Sequence, residues 1–247
     1  MADIHYLEIG EGIHLAYRHR TGLGPTLIFL PGYASDMDGA KANALDAWAA
    51  AAGRAMLRFD YAGCGRSGGD FERQTLHDWL GDVLAMIDAV AADGPVVLVG
   101  SSLGGWLMLL AALARPRRVA GLVGIAAAPD FTSWGFTEAE KMTILGEGRL
   151  EQLNPYGDAP IVTTRAFWRS GEALRLLHGE IAIDCPVRLL HGQADSEVPW
   201  TRAHDIARRV RSADVQTLLV KDGDHRLSRE SDLALLTAIV KTLLESL

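Results

Sequence analysis

Val96-Val97-Leu98-Val99-Gly100-Ser101-Ser102-Leu103-Gly104-Gly105 decides the reading of this chain. A short β-branched run leads into small residues, and an apolar stretch, Leu103–Ala114, follows. The pattern predicts a buried strand, a sharp turn and a buried helix. Within it lies Gly100-Ser101-Ser102-Leu103-Gly104, a G-x-S-x-G sequence. A serine held on such a turn has a strained backbone, so residues two positions away must be small. Its hydroxyl then projects above the positive end of the following helix. Ser102 is the candidate nucleophile, and Ser101 points elsewhere.

Working outward, similar apolar runs occur at Thr26–Leu30, Ala55–Phe59, Val119–Ala126, Val187–Leu190 and Val215–Val220. Nearly continuous apolar runs of this length suit parallel strands buried on both faces. Helical patterns alternate with them at Ala40–Ala52, Thr75–Ala92, Thr201–Val210 and Asp232–Leu244, and Thr75 with Asp78 resembles a capping box. Ile4–Ile9 and Ile13–Arg18 alternate around Gly10-Glu11-Gly12, which predicts an antiparallel hairpin. The expected fold class is α/β: a mostly parallel sheet with an antiparallel N-terminal hairpin and helices on both faces. The rhythm breaks at 131–182, where no strand is expected. Phe131, Trp134, Phe136, Tyr156, Phe167 and Trp168 lie there, with helix-like stretches at Glu138–Leu145 and Ala173–Leu177. This segment is expected to be a helical cap inserted into a single domain spanning 1–247.

A serine nucleophile needs a base, and the base needs an orienting carboxylate. His225 follows the last strand in Gly223-Asp224-His225 and is the expected base. Asp195, in His191-Gly192-Gln193-Ala194-Asp195, is the expected acid. Asp130 also ends a strand and is its rival. Asp195 is favoured because its loop lies nearer His225 in the expected sheet order. His77, His178, His191 and His204 read as structural or surface histidines, and Asp222 and Asp224 as loop-shaping residues.

Acyl transfer also needs backbone N–H groups aimed at the developing oxyanion. Leu103 follows the nucleophile. Tyr33, in Leu30-Pro31-Gly32-Tyr33, supplies the second N–H, since Pro31 has none. Phe59-Asp60-Tyr61-Ala62-Gly63-Cys64-Gly65-Arg66-Ser67-Gly68 has the glycines of a phosphate cradle but not the Lys-Ser/Thr ending of a P-loop. Trp134, Phe136, Phe167 and Trp168 are candidates for an acyl or aromatic pocket, with packing of the cap as the other reading. Arg165 and Arg169 read as a solvated helix face.

The 247 residues carry 24 Lys and Arg against 31 Asp and Glu, a net charge of −7. An acidic chain with no basic run is a poor match for a phosphate backbone, so nucleic acid is not an expected partner. The longest apolar stretches run to 10–12 residues, whereas a membrane span needs about 20, so no stable membrane insertion is expected. Cys64 and Cys185 have no metal-type spacing and fit a reducing compartment. Met1-Ala2-Asp3-Ile4-His5 reads as neither a signal nor a transit peptide. The expected location is cytoplasmic. Oligomeric state leaves no mark in the sequence.

Together these motifs resemble the α/β-hydrolase superfamily. Leu30-Pro31-Gly32-Tyr33 with Ser35-Asp36-Met37, Gly100–Met108, and Arg188–Gly192 with Val198-Pro199-Trp200 are similar to the mitochondrial palmitoyl-protein thioesterases, also called mycophenolic acid acyl-glucuronide esterases. The resemblance implies a serine esterase or thioesterase that needs no metal or organic cofactor. It implies Ser102, Asp195 and His225 as the triad, and a small-molecule ester, a thioester or an acylated protein as substrate. The motifs alone leave open carbon–carbon hydrolysis with the same triad, or a non-catalytic binding protein of the same fold.

Overall fold

The computed structural model describes residues 2–10, 12–154 and 160–247. Among these residues ten strands and eight α-helices follow in chain order. The first three strands are β1 (His5–Glu8), β2 (His14–Arg20) and β3 (Leu23–Leu30). Then come α1 (Ala40–Ala51), β4 (Arg54–Phe59), α2 (Leu76–Ala85), β5 (Val96–Ser101), α3 (Leu103–Ala114) and β6 (Val119–Ile125). The middle of the chain holds α4 (Phe131–Trp134), α5 (Glu138–Glu147), β7 (Arg149–Gln152), β8 (Ile161–Thr164) and α6 (Arg165–Ala173). The chain finishes with β9 (Val187–Gly192), α7 (Thr201–Arg209), β10 (Val215–Val220) and α8 (Glu230–Glu245).

Eight strands form one sheet in the order β1-β2-β4-β3-β5-β6-β9-β10. β1 pairs antiparallel with β2, and β2 with β4, so the N-terminal hairpin caps one edge. From β4 to β10 every pairing is parallel. Side chains alternate between the two faces, as the pleat requires. On β5, Val96 and Leu98 join one core with Trp79 of α2, Trp106 of α3 and Ile206 of α7. Val97 and Val99 join the other, with Leu45 of α1 and Val240 of α8. All six β5 residues are buried, as expected of a central strand.

Thr75 and Asp78 close the predicted capping box at the start of α2. That helix runs to Ala85 and widens into one π-helical turn, Met86–Val90. The main departure from expectation lies between β6 and β9. β7 and β8 form an antiparallel hairpin, with Arg149 opposite Thr164 and Gln152 opposite Ile161, where no strand was expected. Ile161-Val162-Thr163-Thr164 is β-branched throughout, which favours extended backbone. The helix expected over Ala173–Leu177 instead ends at Ala173, because the Asp130 carboxylate accepts the Leu176 and Leu177 N–H groups, 2.8 Å each. Tyr156 and Glu11 lie outside the described residues. No helix among the described residues is long and apolar enough to cross a membrane.

Candidate active site

The site is built at the carboxyl ends of β3, β5, β9 and β10. Ser102 joins β5 to α3 with φ +53° and ψ −117°. A non-glycine residue held at positive φ costs on the order of 1–3 kcal/mol. Its backbone is pinned in compensation: the Ser102 N–H donates to Ile125, and the Ser102 carbonyl accepts from Gly105 and Ala128. The flanking glycines are required by close approach. A Cβ on Gly104 would stand 2.1 Å from the Leu30 carbonyl oxygen, and one on Gly100 would stand 2.3 Å from that of Gly104. Backbone strain is concentrated here. Among the described residues the positive-φ non-glycines are Ala34, Ser102, Ala126, Asp130 and Leu227. Each follows the carboxyl end of a sheet strand.

The Ser102 hydroxyl and His225 Nε2 are 3.2 Å apart, and His225 Nδ1 lies 2.8 Å from Asp195 Oδ2. The carboxylate accepts at Nδ1, so that nitrogen carries the proton and Nε2 is left to accept from the hydroxyl. The Asp195 side chain is fully buried. Its Oδ1 accepts the Glu197 and Val198 N–H groups at 2.9 and 2.8 Å. Its Oδ2 is also 3.1 Å from His191 Nε2. Burial alone would raise this carboxyl, but hydrogen bonds from His191, His225 and the Val198 N–H hold it well below the usual carboxylate range. Glu197 Oε2 lies 3.8 Å from His225 Nε2, on the same side of the ring as Ser102.

The Leu103 N–H opens α3 and so has no intrahelical acceptor. Tyr33 follows β3, and its N–H has no acceptor in the chain among the described residues. Gly32 brings the Tyr33 loop to the nucleophile; a Cβ there would stand 3.4 Å from Ser102 Cβ. The Tyr33 ring packs against Phe71, Trp79, Phe131 and Phe167, and its hydroxyl donates to the Val162 carbonyl of β8 at 2.6 Å. The loop after β3 is thereby tied to the β7–β8 hairpin.

A cleft with two arms meets at Ser102. One arm, of about 360 Å³, is apolar, with Leu103, Phe131, Trp134, Phe136 and Val198 on its walls. The other, of about 390 Å³, is the more polar of the two, with Ser35, Asp36, Lys41, Arg226 and Ser228. Tyr33, Ile161, Glu197 and His225 border both. Burial and the nearby Arg226 guanidinium push the Lys41 amine down to about 8, and Lys41 donates to the Arg226 carbonyl.

Of the aromatic candidates, Trp134 and Phe136 line the apolar arm. Phe167 and Trp168 stand elsewhere. Phe167 is buried against Tyr33, Trp79 and Phe131, and Trp168 donates its indole N–H to Thr132. Both serve the packing of the cap, Phe167 from the buried side of α6 and Trp168 through its indole bond. Asp130, the rival acid, is occupied with Leu176 and Leu177. Cys64 is buried, and burial pushes its thiol up to about 12, which makes it a poor nucleophile. Asp222 pairs with Arg229, and Asp224 accepts the Leu227 N–H, both shaping their loop as expected. Arg165 donates to the Leu145 carbonyl, so it is a bracing residue of the cap as well as part of an exposed face.

Sequence reasoning passed over Phe131, Ile161, Lys41, Glu197 and the contact of His191 with Asp195. His191 and Asp195 are four positions apart across a strand end, and that spacing was the available signal for the last of these. The cleft residues of the cap left none, because their placement depends on the unexpected hairpin.

Comparison with known proteins places the fold in a family. A family model described as serine aminopeptidase, S33, matches residues 25–146. The human protein named palmitoyl-protein thioesterase ABHD10, mitochondrial, is 42% identical over 238 residues, 95% of this chain and 78% of the relative. The mouse protein of that name is 41% identical over 252 residues, 100% of this chain and 84% of its own. Among solved structures, alpha/beta hydrolase domain-containing protein 10 from mouse superposes with a TM-score of 0.92 at 40% identity, covering 99% of each chain. A putative hydrolase from Agrobacterium vitis S4 also reaches 0.92, at 36% identity and 98% of each chain. On fold, identity and coverage together, the chain belongs to the α/β-hydrolases, in the family of the mitochondrial palmitoyl-protein thioesterase ABHD10.

Proposed function

We propose that this chain is a serine hydrolase that cleaves esters or thioesters through an acyl-enzyme on Ser102. The single observation that carries this reading is the hydrogen-bonded line Ser102–His225–Asp195 at the floor of a two-armed cleft. In the first step His225 Nε2 takes the Ser102 proton as Oγ attacks the acyl carbon. The Tyr33 and Leu103 N–H groups donate to the oxyanion. Asp195 holds the proton on Nδ1 and stabilises the imidazolium. His225 then returns its proton to the leaving thiol or alcohol. In the second half, water attacks the acyl-enzyme with His225 again as base, and Ser102 is regenerated.

The acyl group fits the apolar arm between Phe131, Trp134 and Phe136, and the leaving group fits the polar arm beside Lys41 and Arg226. Relatives named palmitoyl-protein thioesterase favour an S-acyl substrate over a carbon–carbon bond. An acyl glucuronide is the second substrate class in this reading. The residues 131–182 act as a cap within one domain. A cytoplasmic location is supported by two unpaired cysteines, Cys64 and Cys185, while the relatives carry the word mitochondrial in their names. Fractionation of tagged protein against organelle markers decides the location.

The functional test is fluorophosphonate labelling followed by a substrate panel. Wild type labels and Ser102→Ala does not. On the panel, S-palmitoyl and S-acetyl thioesters are compared with p-nitrophenyl esters and acyl glucuronides. Absence of labelling in folded wild-type protein would refute the serine mechanism. Equal rates on long and acetyl thioesters would remove the palmitoyl assignment while leaving the hydrolase.

A further inference from the structure

His191 is a buried titratable group that the mechanism does not use, yet it touches the proposed acid. It lies near the end of β9 with 1% of its side chain exposed. Its Nε2 is 3.1 Å from Asp195 Oδ2 and 3.1 Å from the Val198 carbonyl oxygen. A carbonyl can only accept, and the ionised carboxylate can only accept. Nε2 must therefore carry a proton and share it between them. Asp195 then receives four donors. Oδ2 takes His191 and His225; Oδ1 takes the Glu197 and Val198 N–H groups.

We propose that His191 is a positioning residue for the hydrolytic reaction, fixing the plane of the Asp195 carboxylate and setting how much of its charge is left for His225. This rests on the triad reading above. Rotation about the carboxylate's terminal torsion is broad in the absence of partners. Two backbone donors hold Oδ1 and His225 holds Oδ2, and the second imidazole adds the contact that fixes the direction of Oδ2. It also disperses charge on Oδ2. Without it, the same oxygen faces His225 with less of its charge neutralised, and the imidazolium form of His225 becomes more favourable.

The other charged groups around this line are few. Glu197 faces His225 at 3.8 Å. Asp36, Lys41 and Arg226 lie on the polar arm. Asp224 adjoins His225 in the chain but spends Oδ1 on Leu227. On β9 itself, Arg188 pairs with Asp214 at the opposite end of the strand. None of these contacts changes when His191 is replaced, so a shift in the pH profile reports the His191 bond.

The test compares His191→Gln with His191→Asn. A glutamine amide reaches the position of the imidazole Nε2; an asparagine amide falls one methylene short. Both are polar, so neither buries a purely apolar group beside Asp195. For His191→Asn we expect kcat to fall about ten- to hundredfold with KM within about twofold, one lost hydrogen bond plus misorientation of the acid. The acid limb of kcat/KM should move up by about half a pH unit, the scale of a single shared hydrogen bond. His191→Gln should restore most of kcat and return the limb to its wild-type position. Coincident acid limbs in wild type, Gln and Asn variants would overturn the proposal, as would a loss of activity that only tracks the folded fraction in a thermal melt. Fluorophosphonate labelling separates the two levels. If labelling depends on Ser102 and His225 but the limbs coincide, positioning alone fails. If wild type does not label, the triad reading fails and takes the proposal with it.

Discussion

Two buried aspartates end neighbouring strands, β6 and β9, and only one of them can serve His225. Replacing each by asparagine gives opposite outcomes. In Asp195→Asn, Oδ1 accepts two backbone N–H groups, so the new amide must turn its carbonyl toward Glu197 and Val198. Its NH2 then takes the place of Oδ2, 2.8 Å from His225 Nδ1 and 3.1 Å from His191 Nε2. Donor would meet donor. His225 escapes by moving its proton to Nε2, where it faces the Ser102 hydroxyl and can no longer accept. A wrong tautomer of this kind lowers kcat by about 10⁴, roughly 5 kcal/mol of barrier. In Asp130→Asn both original oxygens hold backbone N–H groups of the cap's return, Leu176 and Leu177, with no imidazole among their partners. One of those N–H groups loses its acceptor, at about 1–3 kcal/mol of stability. For a chain of this size that lowers Tm by several degrees, with kcat within about threefold of wild type. The assay is steady-state hydrolysis of a p-nitrophenyl ester on both variants, paired with a thermal melt. Asp195→Asn within tenfold of wild type would refute the assignment. So would Asp130→Asn losing a thousandfold with its melt unchanged.

Further expectations concern the turn, the core and the cap. Gly104→Ala drives a Cβ to 2.1 Å from the Leu30 carbonyl and should either prevent folding or lower Tm by more than about 10 °C, read by circular dichroism. Asp82 is 2% exposed, accepts the Ala62 N–H, and is pushed up by burial to about 7. The folded state therefore holds a proton that the unfolded state releases near pH 4, so this group costs stability as pH rises from about 4 to 7, up to a few kcal/mol. Asp82→Asn should flatten that part of the Tm–pH curve; an unchanged slope would sink the idea. Asp195, held low, acts with the opposite sign and only below about pH 4. Tyr33→Phe removes the bond to Val162 and should speed hydrogen exchange in the β7–β8 hairpin severalfold, the effect of about 1 kcal/mol.

The site was legible where chemistry and backbone geometry constrain the same few residues. Gly100, Ser102 and Gly104 could be read because the turn admits only small neighbours, and His225 because a strand end precedes it. The parallel core was legible because burial on both faces leaves continuous apolar runs. The cap was not. Its α5 does follow the helix-like stretch Glu138–Leu145, but nothing local marks which aromatic residues face the cleft, so Phe167 and Trp168 look the same in sequence as Trp134 and Phe136. Long-range contact decides which of them face the cleft. β7 and β8 are four residues each and carry too few turns of pattern to stand out. The place of His191 beside Asp195 is hidden for a related reason. Its role is set by what the Asp195 loop folds back to touch, and a lone buried histidine in a strand gives no sign of that.

The sheet order has a consequence for when this chain becomes active. In the proposed triad the nucleophile follows β5, whose partners β3 and β6 flank it. The acid and base arrive with β9 and β10, the last strands made and the outermost on that edge. Ser102 and His225 are 123 residues apart, so a ribosome takes on the order of ten seconds between them. Throughout that interval a nascent chain can display its serine without any means of ionising it. Turnover is thus a readout of finished folding: a chain stalled, nicked or truncated before β10 docks is chemically silent, and the growing polypeptide needs no separate inhibitor to protect its surroundings.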